Sequence, residues 1–337
     1  MQYKMGEESR MNSLEQNLCH HRLLVLDGVE KIEDGLDRIR CYDNLTLDVI
    51  YRPLMGRWQR RLRKYWEHFP FLDQSRWYSD WTKAVRDCDT IVIINGIRGR
   101  DVIEYIRQVN PTAQIFIYYN DTTDPEDRKA PHHYQGLGCQ FYSFDKKDCE
   151  TWGISYRHYC YTYFQGNRQQ LLQEQEAHAI SQDFFFIGVD RGRLAVLVEL
   201  QHKLENLGCS TNFVIVGNNH QHYFGDAARH ITQRRLSYAE IVQNIYESRC
   251  IVDIPQPRQT GITLRPMEAI FYEKKLLTSN ADIVNYDFYT PENIFVLGER
   301  SLEELPGFLA APYKKISEEI IQRYTPEAWL NTFLEEK

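Results

Sequence analysis

Residues 250–278, CIVDIPQPRQTGITLRPMEAIFYEKKLLT, hold an apolar run ending in an acid and proline, a loop with one glycine, an amphipathic stretch and a second apolar run. The order is strand, loop, helix, strand. Pro266 falls in the first helical turn, where amides have no intrahelical partner and proline costs little. Those amides and the positive end of the helix dipole form an anion site suited to a phosphate or diphosphate. Gly261 lets the backbone approach such a ligand, and Thr260 and Thr263 add hydroxyl donors. Glu268 is expected within the first turn or so of the helix, and two readings of it are open. In one its carboxylate accepts both hydroxyls of a ribose whose diphosphate rests on the amides; in the other it is a dipole-stabilising surface acid and Gly261 an ordinary turn.

The same alternation extends outward in both directions. Strands are expected at HRLLVLDG (21–28), LDVIYRP (47–53), DTIVIING (89–96), AQIFIYYND (113–121) and CQFYSFD (139–145), then at DFFFIGVD (183–190), TNFVIVGN (211–218), CIVDIP and KLLTSN (275–280). Helical patterns lie between them at residues 99–110, 192–208, 237–249 and 265–275. Strands alternating with helices argue for an α/β chain with parallel sheets. Ser237 with Glu240 and Ser301 with Glu304 have capping-box spacing. Glutamine-rich NRQQLLQEQEAHAISQ (167–182) carries no strand signal and reads as a connector. The expected division is an N-terminal Rossmann-like domain over 1–170, a linker over 171–182, a second Rossmann-like domain over 183–312, and C-terminal helices over 313–337 that pack back on the body.

At 337 residues the chain is long enough for two cores, and 42% hydrophobic with 26% charged residues sets it apart from disordered sequences. No apolar run approaches the roughly 18 residues of a membrane span. The first residues lack the apolar core of a secretory signal, so the expected location is the cytosol. Eight cysteines without a CxxC pair fit reduced thiols. Forty basic against 47 acidic residues give a net charge of -7, which disfavours nonspecific nucleic-acid binding.

Four segments taken in order, FFFIGVDRGRL (184–194), SYAEIVQNIYESRCIVDI (237–254), QTGITLRPMEAIFYEKKLLT (259–278) and YDFYTPENIFVLG (286–298), resemble the GT-B nucleotide-sugar glycosyltransferases, particularly the bacterial lipopolysaccharide-core and spore-maturation type. The likeness spans most of 183–298 and is looser in the first half, at residues 90–121 and YSFDKKDC (142–149). It implies two Rossmann-like domains facing across a cleft, with the acceptor domain first and the donor domain second. It further implies that Glu268 binds the ribose and that Gly261, Ile262, Thr263 and Leu264 face the diphosphate, with Thr260, Gly188 and Arg265 in the donor site. Arg193 and Arg191, at the turn after the FFFIGV strand, would neutralise the leaving diphosphate, since preorganised cations stabilise developing negative charge. As solvated helix-start residues they would have no such role. Transfer would need neither metal nor cofactor beyond the nucleotide-sugar co-substrate, and its acceptor would be a glycan or lipid-linked hydroxyl in surface polysaccharide or lipopolysaccharide synthesis.

Thr260 stands eight positions before Glu268, where many retaining relatives carry a second glutamate. An inverting reaction needs a general base from the N-terminal domain, and strand ends supply the candidates: Asp121 first, then Asp27 and Asp145. Asp121 is equally a turn signal. Asn95, Gly96 and Arg98 follow a strand and either line the acceptor site or form a glycine-rich connection. Two other classes remain open: a catalytically silent subunit binding a nucleotide sugar or partner enzyme, and a sugar-nucleotide epimerase. No strand-linked GxGxxG supports a dehydrogenase.

Asp87-Cys88-Asp89 copies a metal-binding DxD but precedes a strand and reads as a loop. His20-His21, His132-His133 and His220-Gln221-His222 read as surface histidines. In RWQRRLRKYWEHFPF (57–71), Trp58, Leu62, Tyr65, Trp66 and Phe69 lie near one helical face among five basic residues. Two readings stand: peripheral contact with the inner membrane face, or a core-facing helix with a basic outer side.

Overall fold

The structure, a computed structural model, describes residues 13–28, 36–53, 56–66, 69, 72–97, 99–163, 167–218, 221–257 and 259–335. Contacts divide the chain into two units, Met1–Gln165 with Thr325–Lys337, and Gly166–Tyr324.

The first unit holds α1 (Ser13–Leu18), β1 (Leu23–Asp27), β2 (Leu45–Val49), α2 (Arg57–Trp66), β3 (Thr90–Ile94), α3 (Asp101–Val109), β4 (Gln114–Tyr119), β5 (Cys139–Ser143), α4 (Lys146–Trp152) and β6 (Ser155–Tyr156). Its six strands are all parallel, in the order β2-β1-β3-β4-β5-β6. Every residue of β1 and β3 is buried, because both faces of the sheet are covered. Alternate residues serve opposite cores: Val25, Val92 and Phe116 on one face, and Leu24, Ile91 and Ile115 with Ile103 and Ile106 of α3 on the other.

The second unit holds α5 (Arg168–Glu176), β7 (Gln182–Val189), α6 (Leu194–Asn206), β8 (Thr211–Val216), β9 (Ile231–Thr232), α7 (Tyr238–Tyr246), β10 (Ser248–Asp253), α8 (Leu264–Phe271), β11 (Lys275–Thr278), β12 (Ile294–Val296), α9 (Leu305–Ala310) and α10 (Glu318–Arg323). The strands are again parallel, in the order β12-β11-β10-β7-β8-β9. Counted within the unit this is the 3-2-1-4-5-6 order of a doubly wound nucleotide-binding sheet, and the order reverses between β7 and β10. Both capping boxes form; Ser237 starts α7, and Ser301 caps a 3-10 turn leading into α9.

The stretch expected as a linker contains most of α5, which Asn167 caps. Arg168 is buried at the carboxyl end of α8, where it donates to the Phe271 carbonyl at 3.1 Å and pairs with Glu273 at 2.9 Å and with Glu318. A cation there meets the negative end of the helix dipole, and this anchors α5 to the second unit. The chain ends in α11 (Pro326–Leu334), which belongs to the first unit. Pro326 divides the expected C-terminal helix into α10 and α11. Trp329 packs edge-on to Tyr118 with ring centroids 4.7 Å apart and donates to the His158 carbonyl at 3.1 Å. Phe333 contacts Phe116 at 5.3 Å.

Candidate functional site

In the second unit the turns after β7 and β10 flank the switch point, where open parallel sheets bind ligands. Asp253 ends β10, opposite Thr278 of β11 in the strand register. Its buried carboxylate accepts the Thr278 hydroxyl at 2.8 Å and the Thr263 hydroxyl at 2.7 Å. Burial pushes the carboxyl above its ordinary range, while the two hydroxyls, Arg193 and Arg265 pull the other way. The Thr263 hydroxyl also accepts the Arg265 amide at 3.2 Å, so one side chain caps α8 and ties it to the strand end. Asn280 donates to the Thr260 carbonyl at 3.1 Å, and Gly261 and Ile262 are buried. The Thr260–Leu264 loop is therefore held from two strands.

Glu268 lies one residue beyond the expected first turn of α8, which begins at Leu264, and its 0% exposure excludes the surface-acid reading. Oε2 pairs with the Arg265 guanidinium one turn back, while Oε1 is buried with no hydrogen-bond partner. Burial pushes the carboxyl up to about 7, against the pull of Arg265 and a hydrogen bond from Tyr238, with Asp253 adding a smaller upward push. A buried acceptor left unsatisfied costs about 1–3 kcal/mol, which marks Oε1 as a place where a donor is favoured.

The turn after β7 departs from a simple pair of anion-binding arginines. Arg193 folds back onto the protein: Nε donates to the Asp190 carbonyl at 3.2 Å, Nη2 to Val189 at 2.5 Å and Nη1 to Ile254, joining the ends of β7 and β10. Gly188 makes room for this, since a Cβ there would lie 3.0 Å from Nη2 of Arg193 and 3.1 Å from the Phe186 ring. Burial depresses the basicity of Arg193. Arg191 is exposed, in the left-handed region at φ 46°, and its Nη1 donates to Gln256 at 3.1 Å. Asp190, missed in the sequence, accepts the Leu194 amide at 2.7 Å and the Tyr223 hydroxyl at 2.8 Å, so the first turn of α6 already holds a carboxylate.

In the first unit, β1 and β3 meet at a second switch point. Asp27, fully buried, accepts the Asn95 side-chain amide at 2.8 Å. Asn95 and Gly96 both have φ 67°, and a Cβ on Gly28 would come within 2.2 Å of the Gly96 carbonyl oxygen. Lys129 donates to the Asn95 carbonyl at 2.8 Å. Arg98 lies outside the described residues. Asp121, after β4, is exposed and accepts the Thr122 amide at 3.0 Å. Asp145 is buried as the N-cap of α4, accepting the amides of Lys147 and Asp148 at 2.9 and 3.2 Å. That capping role replaces the expected availability as a base. Asp148, which the sequence did not single out, has a carboxyl pushed up to about 6 by burial, with Asp145, Asp121 and Asp124 adding to the shift. Its signal was the strand-end run Asp145-Lys146-Lys147-Asp148.

Asp89 accepts the Arg22 amide at 2.8 Å; in place of the loop expected before β3, Asp87 ends a 3-10 turn over Val85–Asp87 and Cys88 is its C-cap. Among the described residues no three histidine, cysteine, aspartate or glutamate side chains converge as a metal-ligand set, and no helix is long and apolar enough to cross a membrane.

The chain matches no protein-family model, and no curated protein matches it. Among solved structures it is similar to a glycosyltransferase from Rickettsia africae ESF-5, with a TM-score of 0.48 and 10% identity over 94% of this chain and 93% of that one. It is also similar to the apo-structure of D-lactate dehydrogenase from Escherichia coli, with a TM-score of 0.19 and 10% identity over 85% of this chain and 93% of that one. The structure itself establishes two parallel α/β units, the second wound in the nucleotide-binding order.

Proposed function

We propose that this chain is a GT-B glycosyltransferase that moves a sugar from a nucleotide-sugar donor to an acceptor hydroxyl. The observation that carries the reading is the buried, partnerless Oε1 of Glu268 on the helix that follows the switch point of a 3-2-1-4-5-6 sheet. A carboxylate accepts only, so its complement is a donor, and a ribose presents two hydroxyl donors side by side. Because Glu268 is 0% exposed, the hydroxyls reach it only if side chains over the carboxylate move, and in this reading Arg265, paired with Oε2, is the one that leaves. Arg265 then turns to the diphosphate, joining exposed Arg191 and the α8 amides, and together they stabilise the charge that grows as the sugar–phosphate bond breaks. Arg193 acts as the crosslink that fixes both loops. Guanidinium groups and helix amides do this work without a metal in the proposed reaction.

The acceptor is a glycan or lipid-linked hydroxyl, by the family resemblance, and the reaction belongs to surface polysaccharide assembly. Its general base is drawn from Asp121 and Asp148, at the carboxyl edge of the first sheet. Removing a general base lowers turnover by about 10²–10⁴-fold.

The test is release of nucleoside diphosphate from a panel of nucleotide sugars, with water or added glycans as acceptor. The expected result is slow release from one donor that Glu268→Ala abolishes and that acceptor accelerates. Donor binding without release in any arm would favour a silent subunit, and interconversion of the donor sugar an epimerase.

A further inference from the structure

Helix α2 presents its apolar side to solvent. Trp58, Leu62 and Tyr65, spaced four and three residues apart, share one face and are 80%, 50% and 65% exposed. What turns inward is polar or amphipathic: Arg63 lies over the Tyr51 ring at 4.8 Å, and the Trp66 ring meets Trp77 edge-on at 6.2 Å. The core-facing reading of this segment therefore fails for its principal apolar residues. Exposed Arg57 and Arg61 flank the apolar face, and the helix, RWQRRLRKYW, has five basic residues and no acid in a chain of net charge -7.

From this geometry we infer that α2 docks the protein on an anionic lipid bilayer. The occupant follows from charge and shape together. A strip about 15 Å long, with Trp and Tyr along its centre and guanidinium groups beside them, matches the boundary between lipid headgroups and acyl chains. There the aromatic rings sit half in hydrocarbon, and each arginine meets a lipid phosphate. Positive charge concentrated on one helix of an acidic protein also sets orientation, since the remaining surface is repelled. The inference rests on the first unit alone, so its failure and that of the transferase reading are separately visible.

The experiment is cosedimentation of the full chain with phosphatidylcholine vesicles, with and without about 30 mol% phosphatidylglycerol, at low and high salt. Recovery is expected with the anionic vesicles, falling with salt, and at least about tenfold lower with neutral ones. The combined Trp58→Ala, Leu62→Ala, Tyr65→Ala variant loses that recovery while its melting temperature stays unchanged, because the three side chains support no core. Arg57→Gln with Arg61→Gln weakens it and flattens the salt dependence, which holds even if the triple variant proves unstable. Equal recovery with both vesicle types, recovery with neither, or a self-associated chain that the triple variant returns to monomer without any vesicle binding would overturn the inference.

Discussion

Glu268 stands five positions after Thr263 and Asp253 ten before it, both buried; the two oxygens of Asp253 accept the Thr263 and Thr278 hydroxyls, whereas Oε1 of Glu268 lacks a hydrogen-bond partner. The pH behaviour follows from this contrast. The Glu268 carboxyl is pushed from an ordinary 4.5 up to about 7, so the folded state holds a proton that the unfolded state has lost. Stability of the ligand-free protein therefore falls as pH rises between these values, by up to about 3 kcal/mol in all. Denaturant titrations across that range should show the fall, and Glu268→Gln should remove most of it. Nucleotide affinity should move the opposite way in the wild type, strengthening as pH rises, because the ribose hydroxyls donate to the ionised carboxylate. Asp253→Ala removes the acceptor to which the Thr263 and Thr278 hydroxyls donate and is expected to cost about 1–3 kcal/mol in chemical denaturation. It should also weaken nucleotide binding, since the cap of α8 loosens, whereas Asp253→Asn keeps one acceptor and should recover part of both.

Elements differ in how plainly the sequence announced them. TIVII and FFFIGV are continuous apolar runs because both faces of a parallel strand are covered, and β3 and β7 appear where those runs lie. β6, β9 and β12 were not anticipated; two or three residues at or near a sheet edge are too short to show a period. The sequence placed Arg193 at a helix start but held no sign that it folds back to Val189 and Ile254, because that depends on β7 and β10 being neighbours. Asp253 was legible only as a strand end, since its partner Thr278 comes from the register with β11. α11 was legible as amphipathic, and its attachment to the first sheet came from the structure. Trp329 is 1% exposed against Tyr118, so Trp329→Ala should lower stability by about 3–5 kcal/mol in a denaturant melt.

On the scale of the whole molecule, two six-stranded parallel sheets each carry a switch point furnished with polar groups. Asp27 and Asn95 bond to each other at the first, and the loops after β7 and β10 flank the second. The donor half of the proposed reaction lies wholly in the second unit, which makes it testable without knowledge of the acceptor. The most direct measurement is calorimetric titration of a bound nucleoside diphosphate against its 2′,3′-dideoxy form, on wild type and on Glu268→Ala. Loss of hydrogen bonds to a charged acceptor should weaken the dideoxy form by about 10–100-fold on the wild type. On Glu268→Ala the two forms should bind alike and weakly. Equal affinity of both forms for the wild type, or a preference for the ribose that survives Glu268→Ala, would contradict the assignment of Glu268 to the ribose and with it the donor site.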